Sequence, residues 1–327
     1  MILITGGAGF IGSYLAAKLE ERGERVIICD WLGTDDKWRN ISKRDLEHII
    51  APEQMMSYLD EQAGNIKVIY HMGAISATTE RDADAIAENN FRLSRKLWEW
   101  CKDNKTRLIY ASSAATYGDG SAGFIDNESI EGLAKYTPLN AYGWSKHLFD
   151  RWIARQKDRG VAGPHQCVGL KFFNVYGPNE YHKGGMRSVA HQIYPVAVRK
   201  EIFRLFKSHH PDYEDGGQLR DFVWVGDCAD VMLWLLDNPK VNGLFNMGTG
   251  QARSFADLGR AVYDAVGTRP MIQYRDMPEE LRGKYQYFTQ ANMSKLRAAG
   301  YSKPFSSLED GIKAYVQDFL AKDDPYI

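Results

Sequence analysis

Two groupings in this chain have the residue types and spacing for chemistry. The first is Gly6, Gly9 and Gly12, spaced G-x-x-G-x-x-G between an apolar run and a helical stretch. A dinucleotide needs a sharp turn there, a Cα bare enough for a pyrophosphate to approach, and close helix–strand packing. The free N–H groups and the dipole at the helix start then favour the anion. Three turn glycines alone are a weak sign, but their place after the first strand, with Asp30 ending the second, makes a strong one. The second grouping is Tyr142 and Lys146, at i and i+4 on one face of a helix that starts near Leu139–Asn140. A phenol with its ordinary pKa of about 10 is a poor base near neutral pH. An ammonium one turn away, with a positive nicotinamide ring, favours the phenolate. Ser112 and Ser113 close the strand that begins at Leu108, where a hydroxyl can bind a substrate oxygen beside Tyr142.

Asp30 speaks for the ribose hydroxyls of the adenosine, hence NAD, whereas Lys37 and Arg39 can neutralise a 2′-phosphate, hence NADP. Lys37-Trp38-Arg39 also fits a solvated loop, and both cofactors stay open on these residues. Lys183 by itself would be an exposed loop lysine, and its neighbours Glu180-Tyr181-His182 and Gly184-Gly185 raise its interest. His209 and His210 are adjacent and point apart, and no third ligand is spaced to join them with Asp212, so no metal is expected. His71 reads as a core group at a strand end, and Trp98, Trp100, Trp144 and Trp152 read as packing residues.

These groups need a scaffold. Ile2–Thr5, Val26–Cys29, Ile66–Tyr70 and Arg107–Tyr110 are short apolar runs that read as strands. A helix runs from the glycine turn to about Glu21 with Gly23 as its C-cap, and Leu93, Leu97 and Trp100 share a face of another. This alternation predicts an α/β fold, a doubly wound parallel Rossmann-type sheet with a smaller α/β C-terminal substrate domain. Beyond Val175, Pro178, Gly184-Gly185 and the Pro211–Gly217 stretch break the chain into shorter pieces, with strands again at Asp221–Val225 and Gly243–Asn246. The expected division is a cofactor domain of residues 1–172 plus about 221–250, and a substrate domain of about 173–220 plus 251–327.

Composition sets the outer bounds. The chain has 327 residues, 44% hydrophobic and 25% charged, with 41 Lys and Arg against 42 Asp and Glu. This excludes disordered, collagen-like and disulfide-scaffold classes, and a net charge of −1 lacks the basic footprint of a nucleic-acid binder. The four cysteines form no C-x-x-C pair and fit a reducing compartment. With no signal-peptide pattern at the start and no apolar run of about 18 residues, the expectation is a cytoplasmic protein without a membrane partner.

The glycine turn, Ser112-Ser113, Tyr142-x-x-x-Lys146, Asn174-Val175-Tyr176-Gly177-Pro178, Arg220-Asp221-Phe222-Val223 and Asn246-x-Gly248-x-Gly250 together resemble the extended short-chain dehydrogenase/reductases. The likeness is to their sugar-nucleotide epimerase and dehydratase branch and runs from residue 2 to about 316. Dehydratases of the branch carry an Asp-Glu pair after the active-site hydroxyl. Here those positions are Ala114 and Ala115, which transfer no protons, so an epimerase is expected. The segments 110–118, 180–186, 284–291 and 296–301 are similar to the group that epimerises an ADP-heptose at C6 for the lipopolysaccharide inner core.

The resemblance implies a tightly bound NADP, regenerated in each turnover, with NAD as the alternative. It implies Phe10 and Ile11 in the pyrophosphate turn, and Asp30, Trp31 and Lys37 at the adenosine end. Met72, Gly73, Ala74, Ile75, Ser76 and Asn89 would border the cofactor, with Lys146, Val175 and Lys183 near the nicotinamide. Ser113, Asn174, Gly185, Gln192, Phe206, Lys207, Ser208, His209, Arg220 and Tyr285 would hold the substrate, and the assembly would be a homopentamer. Trp31 and Pro52 replace an Asn and a Lys of that group. Gly185 replaces a Ser, Gln192 a His (with His191 beside it), and 211–218 is an insertion. The expected reaction uses two bases, Tyr142 primed by Lys146 and Lys183 opposite, with Ser113 on the reacting oxygen and Arg220 on the ADP. Other readings are a different nucleotide-sugar epimerase or reductase, or a cofactor-binding regulator, against which the intact Ser113, Tyr142 and Lys146 speak.

Overall fold

The computed structural model describes residues 1–282 and 286–327. The strands in chain order begin with β1 (Ile2–Thr5), β2 (Val26–Cys29), β3 (His48–Ile50), β4 (Val68–His71), β5 (Arg107–Ser113) and β6 (Cys167–Phe172). Then come β7 (Asn174–Tyr176), β8 (Phe203–Phe206), β9 (Leu219–Trp224), β10 (Gly243–Met247), β11 (Ala252–Ser254) and β12 (Ile272–Arg275). Seven of them form one sheet in the order β10-β6-β5-β4-β1-β2-β3. Every pairing in it is parallel.

A parallel sheet needs both faces covered, which is why β1, β2 and β4 are buried at every position. Side chains alternate between the faces. Ile2 and Ile4 join the core made with Leu15 and Leu19 of the Phe10–Glu21 helix and Val231, Met232 and Leu235 of the Val225–Asp237 helix. Leu3 joins the opposite core with Met55, Leu97, Trp98, Trp100, Phe149 and Trp152. There Trp98 and Trp152 meet edge to face at 4.9 Å. Trp144, by contrast, is 41% exposed and packs into neither core.

The strand order reverses direction between β1 and β4, and ligands of doubly wound sheets sit at the strand ends over such a point. Of the 221–250 stretch grouped on sequence with the large sheet, β10 lies in that sheet. β9 lies outside it, between β11 and β7 in a three-stranded sheet, and β8 pairs with β12 in a two-stranded one. A third core joins the Val189–Val198, Phe255–Val266 and Leu308–Ala314 helices through Ile193, Leu258, Val262, Ile312 and Tyr315.

Among the described residues one ion pair lies wholly inside. Lys171 Nζ and Asp150 Oδ2 are 2.8 Å apart, with neither side chain exposed. The same Asp150 oxygen accepts from Ser112 Oγ at 2.7 Å, and its other oxygen accepts from the Tyr110 hydroxyl at 3.1 Å. Lys171 also donates to Thr116 Oγ1 at 2.6 Å. Removing one partner of such a pair leaves a buried charge unmatched, at a cost of about 3–5 kcal/mol. Lys171→Met should therefore lose about that much stability in denaturant unfolding, and Lys171→Met/Asp150→Asn should regain more than about half of it. A double variant no more stable than the single one would contradict this account.

A candidate active site at the strand ends

A cleft of about 670 Å³ opens over the ends of β1, β4 and β5, with β7 and β9 of the three-stranded sheet on its lining. The glycine turn forms its floor. Gly6 has φ +65°, and a Cβ there would stand 2.5 Å from the Gly73 Cα. A Cβ at Gly12 would stand 2.3 Å from the Gly6 carbonyl oxygen. Neither position admits a side chain without moving backbone. Gly9 begins the Phe10–Glu21 helix with no side-chain cap, so its first N–H groups face the cleft free for an anion.

At the end of β2, Asp30 accepts from the Ala8 N–H at 3.0 Å and from Lys37 Nζ at 2.7 Å. Lys37 also donates to the Trp31 carbonyl at 2.8 Å and lines the cleft. Arg39 does not line it, because its guanidinium stacks 4.7 Å from the Tyr326 ring. The Trp31 indole turns outward and donates to Glu53 Oε1 at 2.8 Å.

Met72, Gly73, Ala74 and Ser76 line the cleft wall after β4, while Ile75 is spent on structure. Its N–H donates to Asn90 Oδ1 and its carbonyl accepts from Asn90 Nδ2, both at 2.9 Å. Asn90 also donates to Ser145 Oγ at 3.0 Å, and Ser145 donates to the Tyr142 carbonyl at 2.7 Å. The buried Asn90 thus ties the cofactor-side loop to the Tyr142 helix, a role that sequence reading missed. The neighbouring Asn89, singled out instead, donates to the Ala85 carbonyl on its own helix and lies off the cleft. His71 bridges Thr5 Oγ1 and Ser94 Oγ, and burial lowers its pKa to about 3.

Asn140 caps the Ala141–Asp158 helix by accepting from the Gly143 N–H, which fixes Tyr142 and Lys146 one turn apart on the cleft side. Burial raises the Tyr142 pKa, and its hydrogen bond with the Ser113 hydroxyl acts in the opposite direction. Lys146 is 3% exposed. Burial lowers its pKa to about 8, opposed by Asp150 one turn on. Lys146 lines the cleft, where its ammonium could donate to a ribose hydroxyl. Together with the uncapped glycine turn and Asp30, this fits a nicotinamide dinucleotide.

Lys183 reaches the cleft from the opposite side, on the Tyr181–Met186 turn, with its ammonium 5.4 Å from the centre of the Phe10 ring. Burial lowers its pKa and Glu180 raises it. Asn174 and Val175 line the same cleft. Arg220 lines its outer part, donating to the Leu219 carbonyl at 2.8 Å and to the Gln286 carbonyl. Next to it the buried Asp221 accepts from the N–H groups of Thr249, Gly250 and Ala291, which explains the two motifs around 221 and 248 as one junction.

The remaining expected substrate residues stand apart from the cleft lining. Gln192 donates to the Arg187 carbonyl at 3.0 Å, and nothing lies within 4 Å of where a Gly185 Cβ would be. Phe206 lies under Arg275, Lys207 pairs with Asp276 at 3.3 Å, and His209 Nε2 accepts from the Met277 N–H at 3.3 Å. Ser208 N–H donates to Asp215 Oδ1 at 2.8 Å, and Gly216 N–H donates to the Phe206 carbonyl at 3.1 Å. The inserted loop therefore closes on itself. Tyr285 lies outside the described residues. Leu139 and Gln286 line the cleft without having been singled out, the former because its apolar side chain carries no chemical signal.

The sequence model of the NAD dependent epimerase/dehydratase family matches residues 2–248. A protein of Nitratidesulfovibrio vulgaris called ADP-L-glycero-D-manno-heptose-6-epimerase is 51% identical over the full length of both chains. One of the same name from Fusobacterium nucleatum is 47% identical, again over all of both. Among solved structures, the Helicobacter pylori enzyme of that name superposes with a TM-score of 0.80 at 27% identity, over 97% of this chain and 95% of its own. On the fold, the coverage and the cleft, this chain belongs to the NAD dependent epimerase/dehydratase family.

Proposed function

We propose that this protein inverts C6 of ADP-D-glycero-β-D-manno-heptose to give the L-glycero epimer, a precursor of the lipopolysaccharide inner core. The observation that carries the mechanism is the meeting of two separate proton-transfer groups, Tyr142 and Lys183, in one cleft. The full-length likeness to heptose epimerases carries the substrate. A nicotinamide cofactor held in the cleft would supply the redox chemistry, reversible hydride transfer at C6. The glycine turn and the free helix start would hold the pyrophosphate, Asp30 and Lys37 the adenosine end, and Lys146 the ribose beside the reacting carbon.

The chain's own residues handle the protons. Tyr142 or Lys183 takes the proton of the C6 hydroxyl as oxidation leaves a flat carbonyl carbon. Once that carbonyl has turned over, its oxygen points elsewhere, beyond the ~2.6–3.2 Å reach of the first group. The other group then donates the proton to the oxygen in its new place. Ser113, bonded to the Tyr142 phenol, holds the oxygen in one orientation, and Arg220 anchors the ADP. Ala114 and Ala115 offer no acid–base pair, which speaks against water elimination.

Lys37 favours NADP, since its ammonium already sits at Asp30 where a 2′-phosphate would lie. The division of labour we propose gives the cofactor to the seven-stranded sheet and the ADP-sugar to the small sheets and their helices. Among the described residues no helix is long and apolar enough to cross a membrane. We assign the enzyme to the cytoplasm as a homopentamer, which sedimentation checks.

Tyr142→Phe and Lys183→Met should each cut epimerisation of the ADP-heptose at least ~10²-fold, the usual worth of a general acid–base group, with cofactor still bound. A Lys183→Met enzyme working near the wild-type rate would leave Tyr142 alone and end the two-base scheme. For the cofactor, direct titration should show NADP binding more tightly than NAD. Lys37→Ala should shrink that preference at least about tenfold, the worth of one charge-assisted contact. Equal or tighter binding of NAD to the unaltered protein would overturn the NADP assignment.

A further inference from the structure

The loop that carries Lys183 holds a carboxylate with no part in binding cofactor or substrate. Glu180 is fully buried. Its Oε1 accepts from Ser188 Oγ at 2.6 Å and from the Tyr315 hydroxyl at 2.8 Å, and its Oε2 accepts from the Ser188 N–H. All three partners donate, the arrangement an ionised carboxylate wants. Ser188 is in turn the N-cap of the Val189–Val198 helix, so Glu180 fastens both ends of the 180–188 loop to a regular element. The Lys183 N–H donates to the Glu180 carbonyl at 3.0 Å, which keeps lysine and carboxylate within one turn. Two ties flank them: the Tyr181 hydroxyl donates to the Pro325 carbonyl at 2.8 Å, and Asn40 Nδ2 donates to His182 Nδ1 at 3.1 Å. Gly184 follows Lys183 with φ +54°, a permissive residue where the chain most needs outside restraint.

A latch alone would need only hydrogen bonds, which an uncharged amide could make without the cost of burying a charge. A carboxylate buried one turn from an amine does more. We propose that Glu180 is the positioning residue for Lys183: it locks the 180–188 loop onto Ser188 and Tyr315, and it holds a negative charge one turn from Lys183. This rests on the reading of Lys183 as the second proton-transfer group.

Charge balance around the loop agrees. Glu180 faces Tyr181 and Tyr315 as well as Lys183, and His182 in the same loop faces Lys37, Lys183, Asp35 and Asp30. Burial drives Lys183 toward the neutral amine, opposed by Glu180; burial also raises the Glu180 pKa, opposed by its bonds from Ser188 and Tyr315 and by the Lys183 charge. Loss of the Glu180 charge therefore lowers the Lys183 pKa.

Glu180→Gln is the discriminating variant, because its amide can remake all three hydrogen bonds once the two hydroxyls turn to accept. In the pH profile of kcat it should move one limb to lower pH by about half a unit or more, leaving the other limb in place. The pH of half-maximal acylation of Lys183, read peptide by peptide in a mass spectrometer, should move the same way. Glu180→Asp keeps the charge and shortens the reach, so it should lower kcat several-fold without moving either limb. A latch without an electrostatic role predicts a lower kcat for Glu180→Gln at every pH and unmoved limbs, which would overturn the proposal. So would a Glu180→Asp enzyme with unchanged kcat, a result that decides the matter even if the Gln variant does not fold. Lys183→Met is assayed alongside. If it is inactive while both limbs of Glu180→Gln stay put, the two-base reading stands and this inference falls.

Discussion

Asp150 is a negative charge with no access to water, and such a charge is tolerable only when every lone pair is matched. Its partners come from three neighbouring elements: Tyr110 and Ser112 on β5, Lys171 on β6, and, through the helix it sits on, Lys146 one turn away. Thr116 joins the set by accepting from Lys171 while donating to the Ser113 carbonyl at 2.8 Å. The end of β5, the Ala114–Tyr117 turn and the Tyr142 helix are thereby held in one arrangement. The relative placement of Ser113, Tyr142 and Lys146 follows from satisfying a buried carboxylate that does not itself line the cleft. A fully satisfied network of this kind rigidifies what surrounds it, because each bond is strong in a low dielectric and costly to leave unmade.

The two sides of the cleft are built on different principles. Tyr142 and Lys146 stand on a capped helix over a shared polar floor. Lys183 stands on a loop held by side chains from distant parts of the chain. Burial makes both amines easier to discharge, the sense proton transfer near neutral pH needs, but makes the phenol harder to ionise, the opposite of what a base needs. Each is countered by one neighbour: Ser113 for Tyr142, Asp150 for Lys146 and Glu180 for Lys183.

What could be read from sequence was local. The glycine turn, the Asp30–Lys37 pair and the Tyr142–Lys146 spacing are fixed by neighbours within a few residues, and the structure sets each on the cleft. The misses had distant or irregular causes. Asn89 came from the family resemblance; it lies off the cleft, while Asn90, beside it in the π-helical turn of 87–92, is the one that holds the cofactor-side loop. Arg39 is drawn off by Tyr326, far along the chain, and no pattern near either residue announces that contact. β9 reads like any buried strand, and its sheet is decided by β7 and β11 rather than by its own composition. Lys171 gave no signal at all, since a lysine in a strand normally means an exposed edge.

The stretch around 207–217 bears on how this fold varies between relatives. Its ends are tied together by Ser208 to Asp215 and Gly216 to Phe206, and it also contacts Asp276, Met277 and Tyr287, none of which lines the cleft. The entropy of closing such a loop grows only slowly with its length. Residues can accordingly be gained or lost there across evolutionary time with little effect on the catalytic core. The 180–188 loop has no such freedom, since each of its anchors counts residues to Lys183. Length changes in this lineage should collect at the first loop and be purged from the second.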